Sequence, residues 1–209
     1  MIVVCDHAGN IGGQERTGRD TMVTAVPQVS VDIYRFATDL AYRAPDWLRT
    51  VLAASGTVLL LGATGLFVVL VAAARGRGWR HIAMALLAPV AATMAYLLSE
   101  LLKGAVQQAR PCQATAQVMG IVSCPQAGDW SFPSNHAVIA GTVIAAGWLL
   151  WRRLSVLVLP LALLGAASRV LVGVHYPHDV LAGLLIGGAV TAVILIAGRS
   201  LIFASARRS

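Results

Sequence analysis

Arg169, His175 and Asp179 put a cation, a nucleophile and an orienting carboxylate within eleven residues, beside a long apolar run. Hydrocarbon tolerates ionisable side chains poorly, so a cation there is a functional hypothesis by default. Pro177 suits the first position of a helix, where its missing N–H costs nothing. His175 then precedes a helix N-terminus, and Asp179 falls in the first turn. A carboxylate so placed can hold one imidazole nitrogen and leave the other free to attack. A snorkelling arginine beside a helix-capping His–Asp pair is the bland alternative.

Two further groups carry charge or a helix start. Lys103 and Arg110 are seven residues apart, two turns, and share a face if one helix continues through both. Pro111 ends that element and disfavours helical backbone at Arg110. In Phe132-Pro133-Ser134-Asn135-His136, Ser134 has the chemistry of an N-cap after an extended entry at Pro133. His136 then sits among the free N–H groups of a first turn, at the positive end of a helix dipole, which suits a phosphate. Headgroup anchoring explains Lys103 and Arg110 if they are taken alone. A phosphate is the simplest ligand that needs both helix starts, three cations and two histidines together.

The elements that must position them are membrane elements. The 209 residues are 57% hydrophobic and 12% charged, with mean hydropathy +0.74, which is not the composition of a soluble core. A net charge of +7 is scattered between apolar runs, with no dense basic patch, so a nucleic-acid partner is not expected. Fold class is therefore all-α: an integral membrane helical bundle of five transmembrane helices after an interfacial amphipathic helix. The spans are expected at about 51–74, 82–102, 134–151, 154–173 and 180–203. The amphipathic helix is read over Val31–Leu48, with Trp47 at headgroup level. Residues 1–29 are read as a disordered tail and 30–209 as the membrane-embedded domain. No cleavable signal peptide is expected; Met22 is an alternative start to Met1.

Arg75, Arg77 and Arg80, then Arg152 and Arg153, then Arg199, Arg207 and Arg208 fall at alternate span ends. The positive-inside rule makes those ends cytoplasmic, so the chain starts outside and ends inside. Lys103, Arg110, Ser134, His136 and the Arg169–Asp179 stretch then collect on the outer face. Loop 111–133 joins them there with Cys112 and Cys124. Outside the cytoplasm that pair can oxidise, and closing so short a loop contributes about 3 kcal/mol in the chain-entropy model. Two free thiols are the alternative, and Cys5 has no obvious partner. Gly183 and Gly187 suggest close helix packing.

Lys103-x6-Arg110-Pro111, Pro133-Ser134-Asn135-His136 and Ser168-Arg169-x5-His175-x3-Asp179 resemble the three signature motifs of the type 2 phosphatidic acid phosphatase family, the lipid phosphate phosphatases. Vanadium haloperoxidases share that superfamily. The resemblance implies His175 as nucleophile, Asp179 as its orienting carboxylate and His136 as general acid and base. It implies Lys103, Arg110, Ser134, Asn135 and Arg169 as the phosphate cradle, with no metal and no cofactor. His178 matches no motif position and is expected to be a bystander. Asn135 stands where the family commonly has Gly. The branch resembling bacitracin-resistance-type undecaprenyl diphosphatases often has Asp there.

The expected function is hydrolysis of a polyprenyl diphosphate at the extracytoplasmic face of the cell membrane, with lipid bilayer and lipid phosphate as partners. Phosphatidylglycerophosphate, phosphatidate and a polyprenyl-linked phosphoribose are alternative substrates. A lipid-phosphate binder or transporter is the non-enzymatic alternative. It would be expected to lack His175 or Asp179, and both are present.

Overall fold

The computed structural model describes residues 26–114 and 120–204. Cys5, Met22, nearly all of the expected tail, Arg207 and Arg208 lie outside the described residues. Among the described residues the chain is entirely helical: α1 Gln28–Tyr42, α2 Asp46–Arg75, α3 Trp79–Val106, α4 Pro111–Ala114, α5 Asn135–Leu150, α6 Arg152–Leu171 and α7 Pro177–Ala204. The five apolar runs each fold as one helix. Four of them (α2, α3, α6 and α7) are long and apolar enough to cross a bilayer. At 16 residues α5 is shorter, about 24 Å at the helical rise. Many large apolar side chains are exposed, Leu101, Val156, Leu185 and Leu201 by more than 70%. That is a lipid-facing surface, and the protein is a membrane protein.

Helix α5 is central and packs on α2, α3, α6 and α7. Its inward residues are small: Ala137, Ala140 and Ala146 are fully buried. Gly183 and Gly187 present bare backbone to it, and a Cβ at Gly187 would collide with the Val138 carbonyl. That close approach brings the starts of α5 and α7 together, where Ser134 N–H donates to Asp179 O at 3.1 Å. The arginine-rich turns share the opposite end of the bundle. There Arg77 lies 5.7 Å from the Trp151 ring and Arg80 lies 5.9 Å from the Phe203 ring.

Two expectations need correction. The amphipathic segment does not run to Leu48. It stops at Tyr42, and Pro45 opens α2, so Trp47 belongs to the first span. A proline lacks the N–H that would continue the helix and bars helical backbone before it. Nor do Lys103 and Arg110 share one helix. Gln107 takes the left-handed conformation at φ 51° and closes α3 on Lys103 O. Arg110 lies beyond that end, just before α4.

Candidate active site

His175 lies on the turn between α6 and α7. Gly173, at φ +89°, folds that turn back so that the N–H groups of Val174 and His175 reach Arg169 O at 3.2 and 3.3 Å. A positive φ is where glycine is favoured. The His175 ring is 3% exposed. Its Nδ1 is 3.4 Å from Ser131 Oγ and 3.6 Å from Asp179 Oδ2. The carboxylate contact is too long for a direct hydrogen bond, and the Ser131 hydroxyl, which donates to the same Oδ2, bridges it. Nε2 accepts from Arg110 Nη1 at 3.1 Å. An arginine only donates, so the ring proton is assigned to Nδ1 and the lone pair to Nε2. Burial holds the His175 pKa below its ordinary value, against the opposing pull of Asp179.

Asp179 is fully buried and well supplied with donors. Oδ2 also accepts Tyr176 N–H at 2.8 Å, and Oδ1 accepts Gln108 Nε2 at 3.1 Å. His178 Nε2 stands 3.1 Å from Oδ1, and its Nδ1 is 2.7 Å from Ser30 Oγ on α1. His178 thus lies between Asp179 and the first helix, with Gln108 also at its Nε2. Tyr34 adds a second link, donating its hydroxyl to Gly173 O at 3.1 Å.

The cations reach the site from three directions. Lys103 Nζ is 3.2 Å from Glu100 Oε1 and 3.8 Å from Asp129 Oδ1. Arg110 is tied to Asp129 through Nη2 to Oδ1 at 2.8 Å and through Nε to the backbone oxygen at 2.8 Å. Arg169 donates through Nη2 to Ser55 Oγ on α2 at 2.9 Å.

At the start of α5, Ser134 is extended and its side chain makes no cap. Its buried Oγ has no hydrogen-bond partner among the described residues. The Asn135 amide is turned away from the helix start. Its Nδ2 donates to Glu100 at 2.6 Å, and its Oδ1 accepts from Ser99 at 2.6 Å. The Asn135 side chain is therefore held against α3.

Lys103, Arg110, Asn135, His136, Arg169 and His175 line one cavity of about 360 Å³. Asp179 and Ser134 stand behind its wall. Sequence reasoning did not single out Asp129, Ser131, Gln108, Ser55 or Gly56. Asp129 and Ser131 carried one available signal, their place just ahead of the Pro133–His136 motif.

The class is set by a cavity lined by cations and histidines at one end of a membrane helix bundle. Residues 82–201 match the PAP2 superfamily, and the chain belongs to that family. It is 40% identical over 94 residues to the lipid A 1-phosphatase of Rhizobium etli, covering 44% of this chain and 40% of the relative. It is 38% identical over 111 residues to the decaprenylphosphoryl-5-phosphoribose phosphatase of Mycobacterium tuberculosis, covering 52% and 58%. With the undecaprenyl-diphosphatase of Sulfolobus acidocaldarius the figures are 35% over 100 residues, 45% of each chain. The chain thus spans about half the length of the curated relatives it matches. Among solved structures, a transmembrane PAP2 type phosphatidylglycerolphosphate phosphatase from Bacillus subtilis shares the fold. Its TM-score is 0.64 at 20% identity, over 83% of this chain and 88% of that one.

Proposed function

We propose that this protein is a lipid phosphatase working through a phosphohistidine, without a metal. One observation carries the reading: His175 lines a cavity ringed by Lys103, Arg110 and Arg169, with Arg110 at its Nε2 and Ser131 and Asp179 behind its Nδ1. Nε2 attacks phosphorus and the bond to the leaving oxygen breaks. His136, on the same cavity, gives that oxygen its proton. His136 then takes a proton from water, which attacks phosphorus, breaks the P–N bond and releases phosphate. Lys103, Arg110, Arg169 and the first-turn N–H of Asn135 stabilise the equatorial oxygens.

The substrate we favour is a polyprenyl diphosphate, cleaved to the monophosphate at the extracytoplasmic face of the cell membrane. The orientation rests on the arginine-rich turns, which lie at the end of the bundle opposite the cavity. A polyprenyl-linked phosphoribose is the second reading, because the relative named for such a substrate is matched over 58% of its length. The test is phosphate release by purified protein in detergent from undecaprenyl diphosphate, a decaprenyl-linked phosphoribose, phosphatidylglycerophosphate and phosphatidate. Release from the diphosphate at the highest kcat/KM is expected. No release from any of the four would return the chain to a lipid-phosphate binder.

A further inference from the structure

Asp129 belongs to the segment between Cys124, which is disulfide-bonded to Cys112, and the start of α5. Its carboxylate lies on the cavity wall. Arg110 has five N–H donors, and Asp129 takes two of them, through its carboxylate and its own carbonyl, both at 2.8 Å. The two from Nη1 go to Val174 O at 3.2 Å and His175 Nε2 at 3.1 Å. The guanidinium is therefore filled on one edge by an anion. Its other edge lies on the lone pair that must reach phosphorus. Lys103 is shared between Glu100 and the same Asp129 oxygen, at 3.2 and 3.8 Å. Arg169 differs, since the oxygens bonded to its guanidinium, Ser55 Oγ, Ser168 Oγ and Leu52 O, are all neutral.

A carboxylate and a phosphate offer a guanidinium the same pair of oxygens. Burial works to raise the Asp129 pKa, but the Arg110 hydrogen bond and the charges of Arg110, Lys103 and His175 hold it below its ordinary value. The side chain is 49% exposed against 6% for Arg110, so Asp129 is the partner with room to swing away.

We infer that Asp129 is an internal counter-anion, its carboxylate seated on the edge of Arg110 and Lys103 that a phosphate would take and displaced by the incoming phosphate. The inference rests on the reading of this cavity as a phosphate site. Its consequence is selectivity. A doubly charged terminal phosphate outcompetes one carboxylate, whereas a singly charged headgroup diester does not.

The experiment is orthophosphate binding, followed by calorimetry on the full-length detergent-solubilised protein, in wild type, Asp129→Asn and Asp129→Glu. Removing a like charge beside the bound anion should tighten phosphate binding by about tenfold in Asp129→Asn. Asp129→Glu keeps the charge and should stay near wild type. Unchanged or weaker binding in a folded Asp129→Asn protein would overturn the inference and leave Asp129 as a support for Arg110. If that variant fails to fold, Asp129→Ser supplies the same comparison. Because binding is read without turnover, tighter binding beside a wild type inert on all four lipids would sink the phosphatase reading and spare this one.

Discussion

The guanidinium of Arg169 is seated against the bare Cα of Gly56: a Cβ there would lie 2.7 Å from Nη1 and 3.0 Å from His136 Nε2. With Ser55 beside it, α2 forms the socket for two of the proposed catalytic groups, although α2 lies outside the region that matches the family. Gly56→Ala should move the flexible end of Arg169 while leaving helix packing intact. A displacement near 1 Å at such a group lowers turnover by about a hundredfold. The expected outcome is a collapse of kcat/KM at unchanged thermal stability. Equal loss of both would make Gly56 a packing residue only.

Arg169→Lys should damage turnover although it preserves charge. The present contacts use the planar fork, with Nη2 on Ser55 and Leu52 O and Nε on Ser168. A lysine offers a point charge on a different stem. Loss of one charge-stabilising donor lowers the rate by about a hundredfold. Steady-state kinetics at wild-type level would reduce Arg169 to a headgroup anchor.

The pH response of His175 follows from its burial. Its pKa is lowered, so the ring stays unprotonated, able to attack, as pH falls through the ordinary value of 6.5. The acid limb of kcat/KM, corrected for substrate ionisation, should therefore lie below 6.5. Asp179 pulls the other way, so Asp179→Asn should shift the limb lower still while reducing the rate. An acid limb above the ordinary histidine value would show that another group controls attack.

What the sequence disclosed and what it hid divide along one physical line. Lys103, Arg110, His136, Arg169, His175 and Asp179 stand out because ionisable groups are rare in apolar runs, and the structure brings them to one end of the bundle. The bundle itself was legible from span length and composition. Ser131, Gly56 and Ser30 were not, because their roles depend on long-range packing. Ser131 meets His175 across 44 positions, and Ser30 meets His178 across 148. A serine or glycine has no local signal for such a meeting. The overrun of the amphipathic helix had a nearer cause: Pro45 sits inside the periodic pattern and outweighs it.

His178 now carries a prediction opposite to its motif-based reading as a bystander. Its ring joins Asp179 Oδ1 to Ser30 and stacks on Tyr176 at 5.5 Å between centroids. Such supporting partners contribute about tenfold to a hundredfold in metal sites, and the orienting logic carries over. His178→Ala should lower kcat by about tenfold with KM little changed. His178→Gln, which keeps a polar group beside Asp179 and Gln108, should recover most of the loss. Full activity in the alanine variant would restore the bystander.

The phosphohistidine itself is the last and most exposed claim. His175→Ala should abolish phosphate release yet still bind orthophosphate, because Lys103, Arg110 and Arg169 remain. His136→Ala should be nearly inactive on a phosphomonoester, whose leaving alkoxide needs a proton. A diphosphate leaves as a phosphate that needs that proton less, so His175 can still be slowly phosphorylated. Without His136 to activate water, the intermediate should then accumulate. Alkaline quenching of the His136→Ala protein with diphosphate labelled on its terminal phosphate should capture label on a histidine, stable to base and lost in acid. Label at His175 in peptide mapping is the expected result. Label elsewhere, or an active His175→Ala enzyme, would remove the covalent mechanism.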